Sequence, residues 1–256
     1  MDLKKGTIGI VGGMGPGAGI DLSAKIISQT LVGSDQDHVS QLLFSLPSEI
    51  NDRTEYIMGR VNENPAHAIV KILLQMDRLG VEVAGLACNS AHATPIFDVI
   101  RQELYAKHTN IRLLNMIEEV AGFIRHYHPD ARRTGILGTT GTHSTGLYNR
   151  LEDFGLEVIN LTEKEQTTLN AAIYHSEYGI KSITNGDYTK ALALLYEACR
   201  SLKKRGAELV VFGCTEFPMV HKERLVEGLP VIDSNMVLAR ALINAGAPGK
   251  LKPWQQ

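Results

Sequence analysis

Short, nearly uninterrupted apolar runs recur along the chain, separated by longer stretches whose apolar residues return every three to four positions. The first pattern predicts strands buried on both faces, the second amphipathic helices. In the first half, strands are expected at 7–13, 41–46, 81–87 and 111–115. Helices are expected at 20–31, at 65–79 and from Ser90 towards Tyr105, with Ser90 placed to cap the last. Ile69, Ile72, Leu73 and Met76 share one face of the 65–79 helix, and Pro65 suits its first turn. Residues 47–56 are too polar and irregular for a core element and read as a loop.

The same order then starts again. Residues 134–141 repeat the first strand and its turn, 156–161 the second strand, 188–203 the long helix, 208–213 the third strand and 231–234 the fourth, with a shorter helix before it. Gly12 to Cys88 and Gly138 to Cys214 are each 76 positions apart, which argues for duplication. Alternating strands and helices imply an α/β fold of two pseudosymmetric lobes, each a mainly four-stranded parallel sheet flanked by helices, with the active site in the cleft between them. The expected lobes are 1–117 with 230–256, and 118–229, the final segment returning to pack on the first lobe.

Composition narrows the function. A chain of 256 residues with 44% hydrophobic content can bury substantial cores, and disorder is not expected. Net charge is −2 without long basic runs, so neither nucleic acid nor a membrane surface is expected as a partner, and a small molecule is. Residues 1–11 are too short and glycine-broken for a signal peptide or a membrane span, which predicts a cytoplasmic protein. Three cysteines there disfavour a disulfide framework and leave thiols available.

The candidate chemistry lies where strands end. Gly85-Leu-Ala-Cys-Asn-Ser-Ala-His92 and Val210-Val-Phe-Gly-Cys-Thr-Glu-Phe-Pro218 each deliver a thiol to a strand's C-terminal edge. Cys199 lies on a helical stripe with Leu192, Leu195 and Leu202 and reads as structural. Cys88 and Cys214 occupy equivalent positions. Zinc held by Cys88, His92 and Cys214 is an alternative, although neither a C-x-x-C pair nor a second histidine supports it. His92 alone is either a thiol-orienting base or a satisfied helix histidine. Without metal or organic cofactor, one thiol as thiolate base and the other as acid on the opposite face would invert a carbon bearing a weakly acidic hydrogen. Asn89, Ser90, Thr139, Thr140, Thr215 and local backbone N–H groups are candidates to hold the neighbouring carboxylate. Gly13, Gly15 and Ala18 have the G-x-G-x-x-A spacing of dinucleotide folds. Pro16 interrupts that motif and no acidic residue clearly follows at the expected distance, so a tight strand-to-helix turn stands beside the nucleotide reading. Arg53 is either a carboxylate fork or a solvated loop cation.

Gly12-Gly-Met-Gly-Pro16, Ala87-Cys-Asn-Ser-Ala-His92 and Gly213-Cys-Thr-Glu216 together resemble the aspartate racemase branch of the aspartate/glutamate/hydantoin racemase superfamily, over nearly the whole chain. The resemblance implies a racemase independent of pyridoxal phosphate, needing no cofactor and no metal, with Cys88 and Cys214 as acid and base in a homodimer of two-lobed subunits. It also implies substrate contacts at Met14 and Glu216, at Arg53 in Asn51-Asp-Arg-Thr54, which would bind the side-chain carboxylate, and at Lys181, which would assist it. Two cations imply an acidic amino acid. Ser90 departs from the family's usual Thr but keeps the hydroxyl. Glutamate racemases differ in opening with an Asp-Ser-Gly type turn and in carrying histidine where Glu216 stands, so aspartate is preferred. Glutamate, a hydantoin or broader specificity is the runner-up, and a nucleotide- or small-molecule-binding protein the non-enzyme alternative.

Overall fold

The computed structural model describes residues 5–182 and 186–254. The chain divides into two compact units, one running to Glu119 and resuming at Asn235, the other Val120–Ser234.

The first unit is built on a parallel sheet of β1 (Ile8–Gly12), β2 (Gln41–Ser45), β3 (Val83–Leu86) and β4 (Arg112–Leu113), in the order β2-β1-β3-β4. Side chains alternate across a strand, so each central strand feeds two cores. Val11, Ala84 and Leu86 pack with Ile69, Leu73 and Met76 of α3 (Ala66–Arg78) and with Ile96 and Ile100 of α4 (Thr94–Ala106). Ile8, Ile10 and Val83 pack on the other face with Leu22 and Ile26 of α1 (Pro16–Gln29) and with Leu238 and Leu242 of α10 (Ser234–Gly246). Helices on both faces explain why the strands read as continuous apolar runs.

The second unit repeats the pattern. β5 (Arg133–Gly138), β6 (Glu157–Ile159), β7 (Leu209–Gly213) and β9 (Leu229–Asp233) are parallel in the order β6-β5-β7-β9, and β8 (Leu225–Val226) adds an antiparallel edge to β9. Ile8 pairs with Val83 and Thr134 with Leu209, so the duplicated strands keep one register. The equal spacing conceals two unequal halves. Ile8 to its β2 partner Gln41 is 33 positions and Thr134 to its β6 partner Val158 is 24, nine fewer. From Gln41 to Val83 is 42 and from Val158 to Leu209 is 51, nine more. The longer connection carries α7 (Glu163–Tyr174) before α8 (Thr189–Lys204), while α6 (Thr140–Ser144) and a 3-10 turn at Leu147–Phe154 stand where the first unit has α1.

Three expectations are corrected. The first helix starts at Pro16, not at Ile20, because proline's fixed φ suits the first helical turn. The polar stretch 47–56 is not all loop: α2 (Arg53–Ile57) begins there, its N-terminus capped by the Asp52 carboxylate accepting from the Glu55 N–H at 3.0 Å. Ser90 caps nothing. It sits inside a 3-10 turn, Asn89–His92, and α4 starts only at Thr94. α5 (Met116–Tyr127), where the chain passes from one unit to the next, and α9 (Phe217–Val220), the shortened helix of the repeat, complete the elements.

Candidate active site

In the first unit, the Ala87 N–H donates to the Val11 carbonyl at 3.1 Å, extending the β1–β3 ladder to the residue before Cys88. Cys88 is extended and buried, as are Asn89, Ser90 and His92 after it. His92 Nδ1 lies 2.9 Å from the Cys88 carbonyl oxygen, and since a carbonyl only accepts, Nδ1 carries the proton. The ring stacks on Phe97 with centroids 4.9 Å apart, and burial pushes its pKa down to about 4. His92 is therefore a neutral histidine whose Nδ1 fixes the backbone at Cys88, while its buried Nε2 has no hydrogen-bond partner. Among the described residues, no group of three His, Cys, Asp or Glu side chains could hold a metal ion.

The glycine turn has a packing role. A Cβ on Gly19 would lie 3.0 Å from the Gly12 Cα, and Gly13, at φ +88°, would place one 2.9 Å from the Leu46 nitrogen. Both glycines let backbones touch, α1 against β1 and the turn against the end of β2, which accounts for the motif as a tight strand-to-helix turn. Arg53 is buried, not solvated: its Nη2 donates to the Met14 carbonyl at 2.6 Å and its Nη1 to the Asn51 carbonyl at 3.0 Å. The structure thus brings Met14 and Arg53 together through the Met14 carbonyl, while the Met14 side chain belongs to the α3 core.

In the second unit, β7 delivers Cys214 to a buried polar cluster. The Cys214 thiol donates to Glu216 Oε2 at 3.0 Å, the Thr215 hydroxyl donates to the same oxygen at 3.3 Å, and Lys181 Nζ lies 3.3 Å from Glu216 Oε1. Lys181 also stands 5.2 Å over the Tyr174 ring. Burial, then the Glu216 charge, pushes the Cys214 thiol well above its ordinary pKa, against the opposing pull of Lys181. Cys214 rests as a protonated thiol. A helix N-terminus does not offset this, because α9 has only four residues and its N-cap is Glu216, itself an acid.

Thr139 caps α6, its hydroxyl accepting from the Thr142 N–H at 3.2 Å. The Thr140 N–H donates to Asn170 Oδ1 at 3.1 Å, and Gln166 Nε2 donates to the Gly138 carbonyl at 2.9 Å, so α7 pins the end of β5. The Lys181–Glu216 pair and α7 are what sequence reasoning missed. Cys-Thr-Glu spacing put the carboxylate near the thiol, but a lysine 35 positions earlier carried no sign that it would meet it.

A sequence model of the family described as Asp/Glu/Hydantoin racemase matches residues 11–242. The chain is 27% identical over 245 residues to the broad specificity amino-acid racemase RacX of Bacillus subtilis (strain 168), covering 93% of this chain and 96% of that one. Among solved structures it is similar to Picrophilus torridus aspartate racemase, with TM-score 0.74, 27% identity and 96% of each chain covered. It shares its fold with an aspartate racemase homologue from Pyrococcus horikoshii OT3, with TM-score 0.70, 23% identity, and 94% and 99% covered.

Proposed function

The chain belongs to the Asp/Glu/hydantoin racemase family, a family of cofactor-independent racemases, and from that premise we propose that it interconverts L- and D-aspartate by proton transfer through Cys88 and Cys214. The observation that carries this reading is the duplication: the two thiols follow equivalent strands, in one register, in two copies of one strand order. One thiolate removes the α-proton, the C–H electron pair delocalises into the α-carboxylate, and the other thiol returns a proton to the opposite face. Cys214, buried and hydrogen-bonded to Glu216, is suited to be the acid of the resting pair. Asn89, Ser90, Thr139, Thr140 and Thr215, with backbone N–H groups, hold the α-carboxylate as charge develops there. Arg53, already anchored by two carbonyls, turns its fork to the side-chain carboxylate.

A broader specificity is the second reading, favoured by one observation: the Lys181 charge is offset by Glu216, which weakens the demand for an acidic side chain. Turnover of aspartate, glutamate, alanine and lysine, without pyridoxal phosphate, by wild type and Arg53→Ala decides between them. For the aspartate racemase, Arg53→Ala lowers kcat/KM for aspartate by about tenfold to a hundredfold, the worth of a charged hydrogen-bond pair, and neutral substrates are poor throughout. Comparable rates on neutral and acidic substrates would favour the broad enzyme, and no racemisation of any of them would defeat both. Small-molecule turnover in the cytoplasm by a homodimer completes the proposal, and sedimentation of the purified protein tests the dimer.

A further inference from the structure

Each unit grips the same backbone position after its first strand, and the two grips differ in chemistry. Gly12 ends β1 and Gly138 ends β5, and Met14 and Thr140 each lie two positions further on. In the first unit Arg53, from the connection after β2, donates Nη2 to the Met14 carbonyl at 2.6 Å. In the second, the connection after β6 carries Asn170 on α7, and its Oδ1 accepts from the Thr140 N–H at 3.1 Å. A backbone N–H only donates, so the orientation of this amide is settled, with Oδ1 on Thr140 and Nδ2 left over. Among the described residues Nδ2 has no hydrogen-bond partner, and Asn170 and Thr140 are both half-buried. One turn earlier on the same helix face, the buried Gln166 donates Nε2 to the Gly138 carbonyl at 2.9 Å, which holds α7 against the end of β5 and fixes where Asn170 stands.

We propose that Asn170 is a substrate-binding residue whose Nδ2 donates to the α-carboxylate of the amino acid. The inference rests on the racemase reading, which places that carboxylate at Thr139 and Thr140. The Thr140 N–H is committed to Asn170, and the amide restores a donor beside it at Nδ2, which carries two N–H bonds. Being neutral, the amide holds a carboxylate without adding a charge that would draw an acidic side chain. Every α-amino acid carries the α-carboxylate, so Asn170 serves all substrates alike, while Arg53 reads the side chain.

The test compares wild type with Asn170→Asp and Asn170→Leu, by calorimetric binding and by racemisation of aspartate, glutamate, alanine and lysine. Asn170→Asp keeps an oxygen for the Thr140 N–H but sets a negative charge where the substrate carboxylate would lie. Asn170→Leu removes acceptor and donor together. A residue that only held Thr140 would tolerate the first substitution and suffer from the second. The proposal predicts the reverse order. Asn170→Leu weakens binding and kcat/KM about tenfold, the worth of a hydrogen bond to a charged group, and Asn170→Asp about a hundredfold, because like charges then meet. Asn170→Asp less damaging than Asn170→Leu, or neither variant impaired, would overturn it. If Asn170→Asp does not fold, Asn170→Leu decides by substrate: an equal loss on every amino acid the wild type binds supports the contact, and no loss, or a loss confined to the acidic ones, overturns it. Binding and turnover separate this inference from the proposed function. A wild type that binds amino acids without racemising them defeats the proposed function, and the binding order of the variants still decides the contact. An active wild type with the order reversed defeats only the contact, and a wild type that neither binds nor racemises any of the four defeats both.

Discussion

At the scale of single residues, His92 shows how burial decides a role. Its Nδ1 proton is committed to the Cys88 carbonyl and its folded pKa lies about 4, against about 6.5 in an unfolded chain. Between those values the unfolded chain binds a proton that the native one refuses. The stability contribution is therefore intact above pH 6.5 and lost as the pH falls towards 4. At pH 5 this group alone should cost about 2 kcal/mol relative to pH 7.5. His92→Gln keeps a donor for the carbonyl and removes the titration, so urea midpoints at the two pH values should lie closer together in the variant. An equal acid loss in both proteins would refute this assignment. Cys199, whose thiol burial pushes up to about 12, should meanwhile stay unalkylated at neutral pH in the folded protein. Cys88, Cys214 and Cys199 were legible as two strand-end thiols and one core thiol because strand and helix periods are written in the sequence. The direction of the Lys181 side chain was not, because it depends on how a long connection closes in three dimensions.

At the scale of elements, close backbone packing predicts two glycine substitutions of opposite sign. Gly19→Ala puts a Cβ 3.0 Å from the Gly12 Cα, and backbone cannot yield as a flexible side chain would, so α1 must lift from β1 at about 1–3 kcal/mol. Gly122, inside α5, has nothing within 4 Å of its added Cβ, and Gly122→Ala should stabilise by about 1 kcal/mol. Denaturant unfolding of the two variants measures both signs. The same glycine obscured α5, whose buried Met116, Ile117, Val120, Ala121 and Ile124 carry a full helical stripe, because glycine in a helix interior argues against one. α7 was hidden for another reason. Its buried face is only Gln166, Leu169, Ala172 and Ile173, and its start depends on a capping box in which Thr162 and Glu165 satisfy each other's backbone. α2 follows a polar stretch, and the one residue it buries is Arg53.

At the scale of the whole molecule, duplication made most of the fold legible. Strand order and the β1–β3 register recur in β5 and β7, and the 76-position spacing from turn glycine to thiol survives although the segments inside it differ by nine residues in opposite directions. Sequence spacing alone could report the total, not its division, because only the pairing of β2 and β6 shows where the lengths were exchanged. The central claim is that two thiols exchange protons with opposite faces of one α-carbon. Its most direct test follows L-aspartate racemisation by the wild-type enzyme in deuterium oxide, sampled early, with Cys88→Ser and Cys214→Ser alongside. The account predicts that the first D-aspartate carries solvent deuterium at Cα while the remaining L-aspartate does not, and that each variant loses at least about a hundredfold in racemisation rate. Deuterium entering both enantiomers equally from the start, or either variant racemising at the wild-type rate, would contradict it.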